Sequence, residues 1–342
     1  MRPRARDRSF PVGRFPTGCH NAITDVLGVR VGHHTVWRGE PGDPVVARTG
    51  VTVIDCAPEQ PWKTRFFAGS HILHGLGQLT ARDMIEAQGF MTSPIFLTGT
   101  RSVGAVYEAA VQEALGRGDE VPIPVVGECD DGYLSSAEAV VSGDEVHAAL
   151  ADLKGGPVAE GCVGAGTGMH LFAYKGGIGT ASRRVPGGHG GPEYTVGVLV
   201  LTNFGADEDL RLPHGIEKAG PPDAAPRPGS CIGVAVTDAP LHPQQLSRIA
   251  MRIGFGLVRT GSVGRPGSGE IFMAVSTAHA MQGKQTFVAG PFLQDNADDD
   301  LHVVSELYAA TVDAAEEAVW NALCAATTVV GQEGRTVRSF FP

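Results

Sequence analysis

Gly229-Ser230 stands at the one point where a turn-rich stretch feeds directly into a short apolar run, and that placement gives the serine a chemical use. Residues 221–228 hold Pro221, Pro222, Pro226 and Pro228, which cannot sustain regular structure, whereas Cys231 to Thr237 are small and β-branched, as a buried strand requires. If the Ser230 hydroxyl attacks the Gly229 carbonyl, an N-to-O acyl shift gives an ester that water opens. Gly229, lacking a Cβ, tolerates the strained backbone this needs. The product carries a hydroxyl beside a free α-amine, whose ordinary pKa of about 8 suits it to act as a base near neutrality. The plain alternative is that Gly-Ser merely opens a strand, which is common turn chemistry. Cys231 is a rival nucleophile, but its side chain points to the opposite face of the strand from Ser230.

Acyl transfer also needs proton shuttles and oxyanion donors. Ser268 and Glu270 are spaced i and i+2, so on a strand they share one face. Asn203 ends a very apolar run and offers a neutral amide donor. Tyr133, in the stretch Glu128-Cys129-Asp130-Asp131-Gly132-Tyr133, offers a phenolic one. A substrate ammonium calls for a carboxylate, and Glu128, Asp130 and Asp131 are candidates, although they also read as a solvated acidic turn.

The elements that must position these groups follow from periodicity. Strands are expected at 51–56, 94–98, 121–126, 194–202, 231–237 and 271–276. Helices are expected at 72–88, 102–115, 243–258 and 303–324, the last with a polar face of Asp313, Glu316 and Glu317, and more weakly at 135–153. The absence of strict strand-helix alternation, and of any 20-to-50-residue repeat, favours an α/β or α+β sandwich in a single domain over a barrel or solenoid.

Composition narrows the function. In a chain of 342 residues, 42% hydrophobic, a substantial core is expected, and a net charge of −10 argues against a nucleic-acid surface. Arg2, Arg4, Arg6 and Arg8 lead no long apolar stretch, so residues 1–18 read as a flexible tail. With no apolar run of 18 residues, no membrane contact is expected, and six scattered cysteines suit reduced thiols in the cytoplasm. No metal or organic cofactor is expected. The glycines from Gly161 to Gly168 lack the Lys-Ser/Thr ending of a phosphate loop and read as close sheet packing. His33, His34, His71 and His74 have no metal-site spacing, and the acidic run 295–300 lacks the glycine of a calcium loop, so it reads as a helix start.

Five segments in order, beginning Asn21-Ala22-Ile23-Thr24-Asp25, Gly164-Ala165-Gly166-Thr167-Gly168, Lys175-Gly176-Gly177-Ile178-Gly179, Tyr194-Thr195-Val196-Gly197 and Gly267-Ser268-Gly269-Glu270, together with Gly229-Ser230, strongly resemble the DmpA/BapA family of self-processing L-aminopeptidase/D-esterases and β-peptidyl aminopeptidases. The resemblance runs from about Asn21 to Trp320. It implies a four-layer αββα sandwich of the DmpA/ornithine acetyltransferase type, self-cleavage into 1–229 and 230–342, and an acyl-enzyme on Ser230. It further implies that Ser268 and Glu270 orient the nucleophile, that Asn203 and Tyr133 share the oxyanion, and that Glu128 holds the substrate ammonium. Substrates would be short peptides, amides or esters, with no cofactor, and the protein a homo-oligomer of four cleaved pairs. Asp130 stands where the family's peptidases are expected to carry an aromatic residue, which makes the pocket more acidic here. Two rival readings stay open: an acyltransferase of the ornithine acetyltransferase kind, which cuts before Thr rather than Ser, and an uncleaved non-catalytic scaffold.

Overall fold

Alternation along the strands sorts most of the apolar residues into three large cores, and these define the layers of the computed structural model. It describes all residues except 1, 58, 189, 219–228, 283–287, 289, 296–301 and 342. One sheet has the order β1 (Arg30–Arg38), β2 (Ala47–Asp55), β5 (Ile95–Gly99) and β6 (Val125–Cys129). The other runs β4 (Phe90–Met91), β3 (Thr64–Gly75), β12 (Gly269–Gln282), β11 (Ser230–Thr237), β10 (Tyr194–Asn203) and β9 (Gly177–Val185). Two short hairpins, β7 (His170–Leu171) with β8 (Tyr174–Lys175) and β13 (Val329–Val330) with β14 (Thr336–Val337), complete the strands. Ile54, Leu97 and Val125 of the first sheet pack on Ile232, Ile271 and Met273 of the second, forming the central core. Val53, Phe96 and Val126 face outward to helices α2 (Val103–Gly116) and α3 (Gly143–Ala151). On the far side, Cys231, Phe272 and Ala274 lie under α4 (Pro243–Thr260) and α5 (Val303–Ala325), while the short α1 (Arg82–Gln88) follows β3. The order helix, sheet, sheet, helix is the expected αββα sandwich.

Several expectations need correction. The stretch 72–88 is not one helix: β3 runs through Gly75 and only Arg82–Gln88 is helical. Its apolar residues do recur at helical spacing, but Gly75 and Gly77 weaken a helix, and pairing with β12 satisfies the backbone as strand. The strand expected at 121–126 begins only at Val125, because Pro122 and Pro124 have no N–H to donate to a ladder. In the stretch 135–153 the helix is confined to Gly143–Ala151, behind Ser142 in a capping box with Glu145.

Residues 2–18 are no loose tail. Phe10, Val12 and Phe15 are buried in the outer core, Arg4 meets Glu160 at 2.8 Å, and Arg6 meets Glu317 at 2.8 Å. The supposed polar face of α5 is thereby covered: Glu317 is 0% exposed and Asp313 5%, held by Arg183 at 2.6 Å and Arg259 at 2.8 Å respectively. Arg6 of the N-terminal stretch meets one of those carboxylates and the Arg14 N–H the other, and amphipathic spacing alone cannot distinguish a wet polar face from a paired one.

The glycine-rich run behaves as close packing. Gly164–Gly168 is a buried 3-10 turn in which a Cβ at Gly168 would lie 2.2 Å from the Arg48 carbonyl. The buried Lys175 donates to the carbonyls of Gly166 (3.0 Å), Met169 (2.5 Å) and Gly176 (3.1 Å), pinning this turn. In the acidic run, 296–300 lie outside the described residues. Asp295 accepts from Arg248 at 2.5 Å and from Gln245 at 3.0 Å, and the residue before α5 is His302, so Asp295 does not cap it.

Candidate active site

Strand direction gathers the site. β11 and β12 are parallel and begin side by side, while β10 runs antiparallel to β11 and ends there, so Ser230 pairs with both Asn203 and Gly269. The nucleophile candidate therefore lies between the last residue of one strand and the first of another. Asn203 is fixed on all sides: its Oδ1 accepts from the His170 N–H at 3.0 Å, and its Nδ2 donates to the Asp130 carbonyl at 2.9 Å and to Ser230 Oγ at 3.3 Å. The Gly229 carbonyl accepts from the Gly269 N–H at 3.0 Å.

Gly229 and Gly269 are glycines for steric reasons. A Cβ at 229 would stand 2.5 Å from the Asn203 carbonyl oxygen, and one at 269 would stand 2.1 Å from that of Leu76. Neither gap admits a side chain.

Ser268 and Glu270 do share a face, with Ser268 Oγ donating to Glu270 Oε1 at 2.5 Å. Both are buried, and Glu270 Oε2 has no partner among the described residues. Burial raises the Glu270 pKa above its ordinary value, opposed by the Ser268 hydrogen bond. Glu128 approaches from the other sheet, on β6, with Oε1 accepting from the Gln78 N–H at 2.8 Å and Oε2 accepting a short bond from the Thr100 hydroxyl. A Cβ at Gly77 would be 3.2 Å from Glu128 Oε1 and 3.7 Å from Gly269 Cα, so a single glycine backbone separates this carboxylate from the strand entrance. Burial raises its pKa too, against the hydrogen bonds from Thr100 and Gln78.

Tyr133 lies on the loop after β6, half-buried against Leu134, Val329 and Val337, with the Arg335 guanidinium 5.4 Å from its ring centre. The structure joins Ser230, Asn203 and the Gly269 peptide directly. It gives Tyr133 this hydrophobic seat a few residues beyond Asp130, the residue whose carbonyl binds Asn203. Asp130 is exposed and Asp131 buried, the latter raised to about 6 by burial and paired with Arg101 at 3.5 Å. Cys231 is fully buried in the outer core, and burial raises its thiol pKa well above the ordinary value, so it remains a neutral wall residue.

Next to Gly229 lies a cavity of about 390 Å³, lined among others by His170, Gly205, Val263, Ser268 and Glu270. His170 has no warning in the sequence, since a lone histidine inside an apolar run is usually structural. Burial and the nearby Lys175 charge lower its pKa to about 4, which keeps its ring neutral. The Gly269 N–H was equally illegible, because a backbone donor has no residue type.

His33 and His74 serve hydrogen bonds, His33 Nδ1 to Thr52 Oγ1 at 2.9 Å and His74 Nδ1 to the Ser268 carbonyl at 2.6 Å. Among the described residues, Cys19, His20 and Asp25 bring ligating atoms within 4.8 Å of one another, but Asp25 already accepts from the His20 and Ala22 N–H groups and the Ser182 hydroxyl. No helix among the described residues is long and apolar enough to cross a membrane.

This architecture has known relatives. A β-peptidyl aminopeptidase, BapA, of Sphingosinicella xenopeptidilytica is 39% identical over 98% of this chain and 88% of its own length. Among solved structures, a β-aminopeptidase of a Burkholderia species superposes with a TM-score of 0.84 at 38% identity, covering 98% of this chain and 95% of that one. The L-aminopeptidase D-Ala-esterase/amidase of Ochrobactrum anthropi, described as a variant of the Ntn hydrolase fold, gives 0.87 at 34% identity over 98% and 95%. The model of peptidase family S58 matches residues 21–337, nearly the whole sandwich, and the chain belongs to that family.

Proposed function

We propose that this S58 hydrolase is a serine aminopeptidase that makes its own nucleophile by cutting between Gly229 and Ser230. One observation supports this above the others: the Ser230 hydroxyl and the carbonyl it would attack are each already held by a donor, Asn203 Nδ2 at 3.3 Å and the Gly269 N–H at 3.0 Å. In the first reaction Ser230 Oγ bonds to the Gly229 carbonyl carbon, the negative charge developing on that oxygen faces the Gly269 N–H, and the C–N bond breaks as the amine takes up the hydroxyl proton. Water then cleaves the ester, leaving a Gly229 carboxylate and a Ser230 amine.

In the second reaction the same oxygen attacks the carbonyl of a substrate's N-terminal residue, the new α-amine accepts its proton, and Asn203 donates to the oxyanion, with Tyr133 as its companion. Glu270 and Ser268 receive the resulting ammonium, for which Glu270 Oε2, unpartnered among the described residues, is a ready acceptor. Glu128 holds the substrate's own ammonium. The leaving amine departs protonated and water frees the acyl group. The substrate class is short peptides, amides or esters with a free N-terminal amine of the L-, D- or β-amino acid series. A cytoplasmic assembly of four cleaved pairs completes the reading.

Intact mass of the purified protein beside Ser230→Ala tests it. The expected result is two fragments in the wild type, ending at Gly229 and starting at Ser230, and one full-length chain in the variant. Full-length mass in both would remove self-cleavage.

A further inference from the structure

A single peptide unit at the entrance of β12 is gripped from both sides. Its N–H, belonging to Gly269, donates to the Gly229 carbonyl at 3.0 Å. Its C=O, belonging to Ser268, accepts from His74 Nδ1 at 2.6 Å and, more weakly, from the Leu76 N–H at 3.4 Å. A carbonyl oxygen only accepts, so Nδ1 must carry the proton, and the ring's tautomer is fixed. In a trans peptide the C=O and N–H point opposite ways. β12 lies between β3 and β11, so the histidine on β3 and the scissile carbonyl before β11 meet the two ends of one dipole.

Hydrogen bonds in series polarise each other: electron density drawn to the carbonyl oxygen makes the N–H of the same amide a stronger donor. That N–H faces the oxygen on which negative charge develops during self-cleavage. His74 is also the register partner of Glu270, at the point where the β3–β12 ladder becomes irregular just beyond. The backbone bond on that carbonyl is the long one from Leu76, so the short His74 bond adds to the peptide's hold where the ladder begins.

We propose that His74 is a positioning residue for the cleavage reaction: through the Ser268–Gly269 peptide it orients and strengthens the donor that meets the Gly229 oxyanion. This rests on Gly229-Ser230 being the cleavage site. His74 makes no hydrogen bond to the nucleophile or to the Gly229 carbonyl; the bond it makes reaches the site through one amide, and its ring also lies beside Glu270, its register partner.

The test is a time course of self-cleavage during cell-free translation, read by intact mass, with thermal unfolding of each chain alongside. Removing an oxyanion donor outright costs roughly 10²–10³-fold in rate, and here a donor is weakened, so His74→Leu should slow cleavage about 10-fold. His74→Asn, whose amide can donate from nearly the Nδ1 position, should stay within about 3-fold of wild type. His71→Asn on the same strand should match wild type. If His74→Leu lowers the melting temperature, His74→Phe, which refills the ring's volume, replaces it in the comparison. Wild-type cleavage rates in the apolar variant, or an Asn variant as slow as the apolar one at equal melting temperature, would overturn the proposal. A wild-type chain that never cleaves removes the underlying cleavage reading instead, and the proposal with it.

Discussion

Two buried glutamates, one in each working region of the molecule, are treated in opposite ways. Glu317 on α5 is 0% exposed and saturated: Arg183 at 2.6 Å, Arg6 at 2.8 Å and the Asn21 amide at 2.6 Å enclose its carboxylate. Glu270 on β12 is 1% exposed and half-served, with the Ser268 hydroxyl on Oε1 and, among the described residues, nothing on Oε2. A buried carboxylate with its cations in place fastens segments together, here the N-terminal stretch to α5 and β9. One buried without a cation costs stability, and such a cost is retained where a cation is to come. On the cleavage reading, that cation is the ammonium created at Ser230.

Four measurements break or sharpen this contrast. The largest effect is expected from Glu317→Ala, which strands Arg183 in the core. Breaking a buried pair from one side costs roughly 3–5 kcal/mol, so urea unfolding should shift by that much. A loss under about 1 kcal/mol would show the cluster to be solvated. Glu270→Gln should lower turnover of an aminoacyl p-nitroanilide by roughly 10²-fold, the order seen when a preorganised electrostatic partner is lost, with the melting temperature held. Unchanged turnover would deny Glu270 a part in the chemistry.

The third measurement reverses the sign of the first. On the cleavage reading no ammonium forms in the Ser230→Ala chain, and burial leaves the Glu270 pKa raised above its ordinary 4.5. A carboxyl with a raised folded pKa binds protons more tightly when folded, so it lowers stability as pH climbs past its unfolded value. Adding Glu270→Gln should therefore stabilise that chain at pH 8 and leave it unchanged at or below about pH 4. A destabilising effect at pH 8 would mean a cation already serves Oε2. The smallest effect belongs to Arg14→Ala. Arg14 and Glu306 meet at 2.7 Å but are 67% and 41% exposed, and an open pair of this kind contributes at most about 0.5 kcal/mol. A shift in melting temperature comparable to that of Glu317→Ala would refute the distinction between wet and dry pairs.

How far the sequence could be read follows from the range of the interaction involved. The apolar runs behind β10, β11 and β12 and the helical spacing of α4 and α5 depend on near neighbours, and they lie close to where periodicity puts them. The β3 segment through Gly75 was misread because its strand state depends on β12, some two hundred residues away. Ser230, Ser268, Glu270 and Asn203 were visible as residue types. His170 and Gly269 were not: the first acts through a backbone N–H on Asn203, and the second through a backbone N–H on Gly229.

Residue patterning alone narrowed the fold to an α/β or α+β sandwich and showed the glycine-serine junction and the kind of side chains available around it, because patterning and residue chemistry are local properties. Only the tertiary structure decided which peptide faces the Gly229 carbonyl, which buried carboxylate is saturated and which is open, and that arginines of the N-terminal stretch pair with buried carboxylates. Those outcomes depend on strand register and on charges brought together from opposite ends of the chain, and no window of sequence contains both partners.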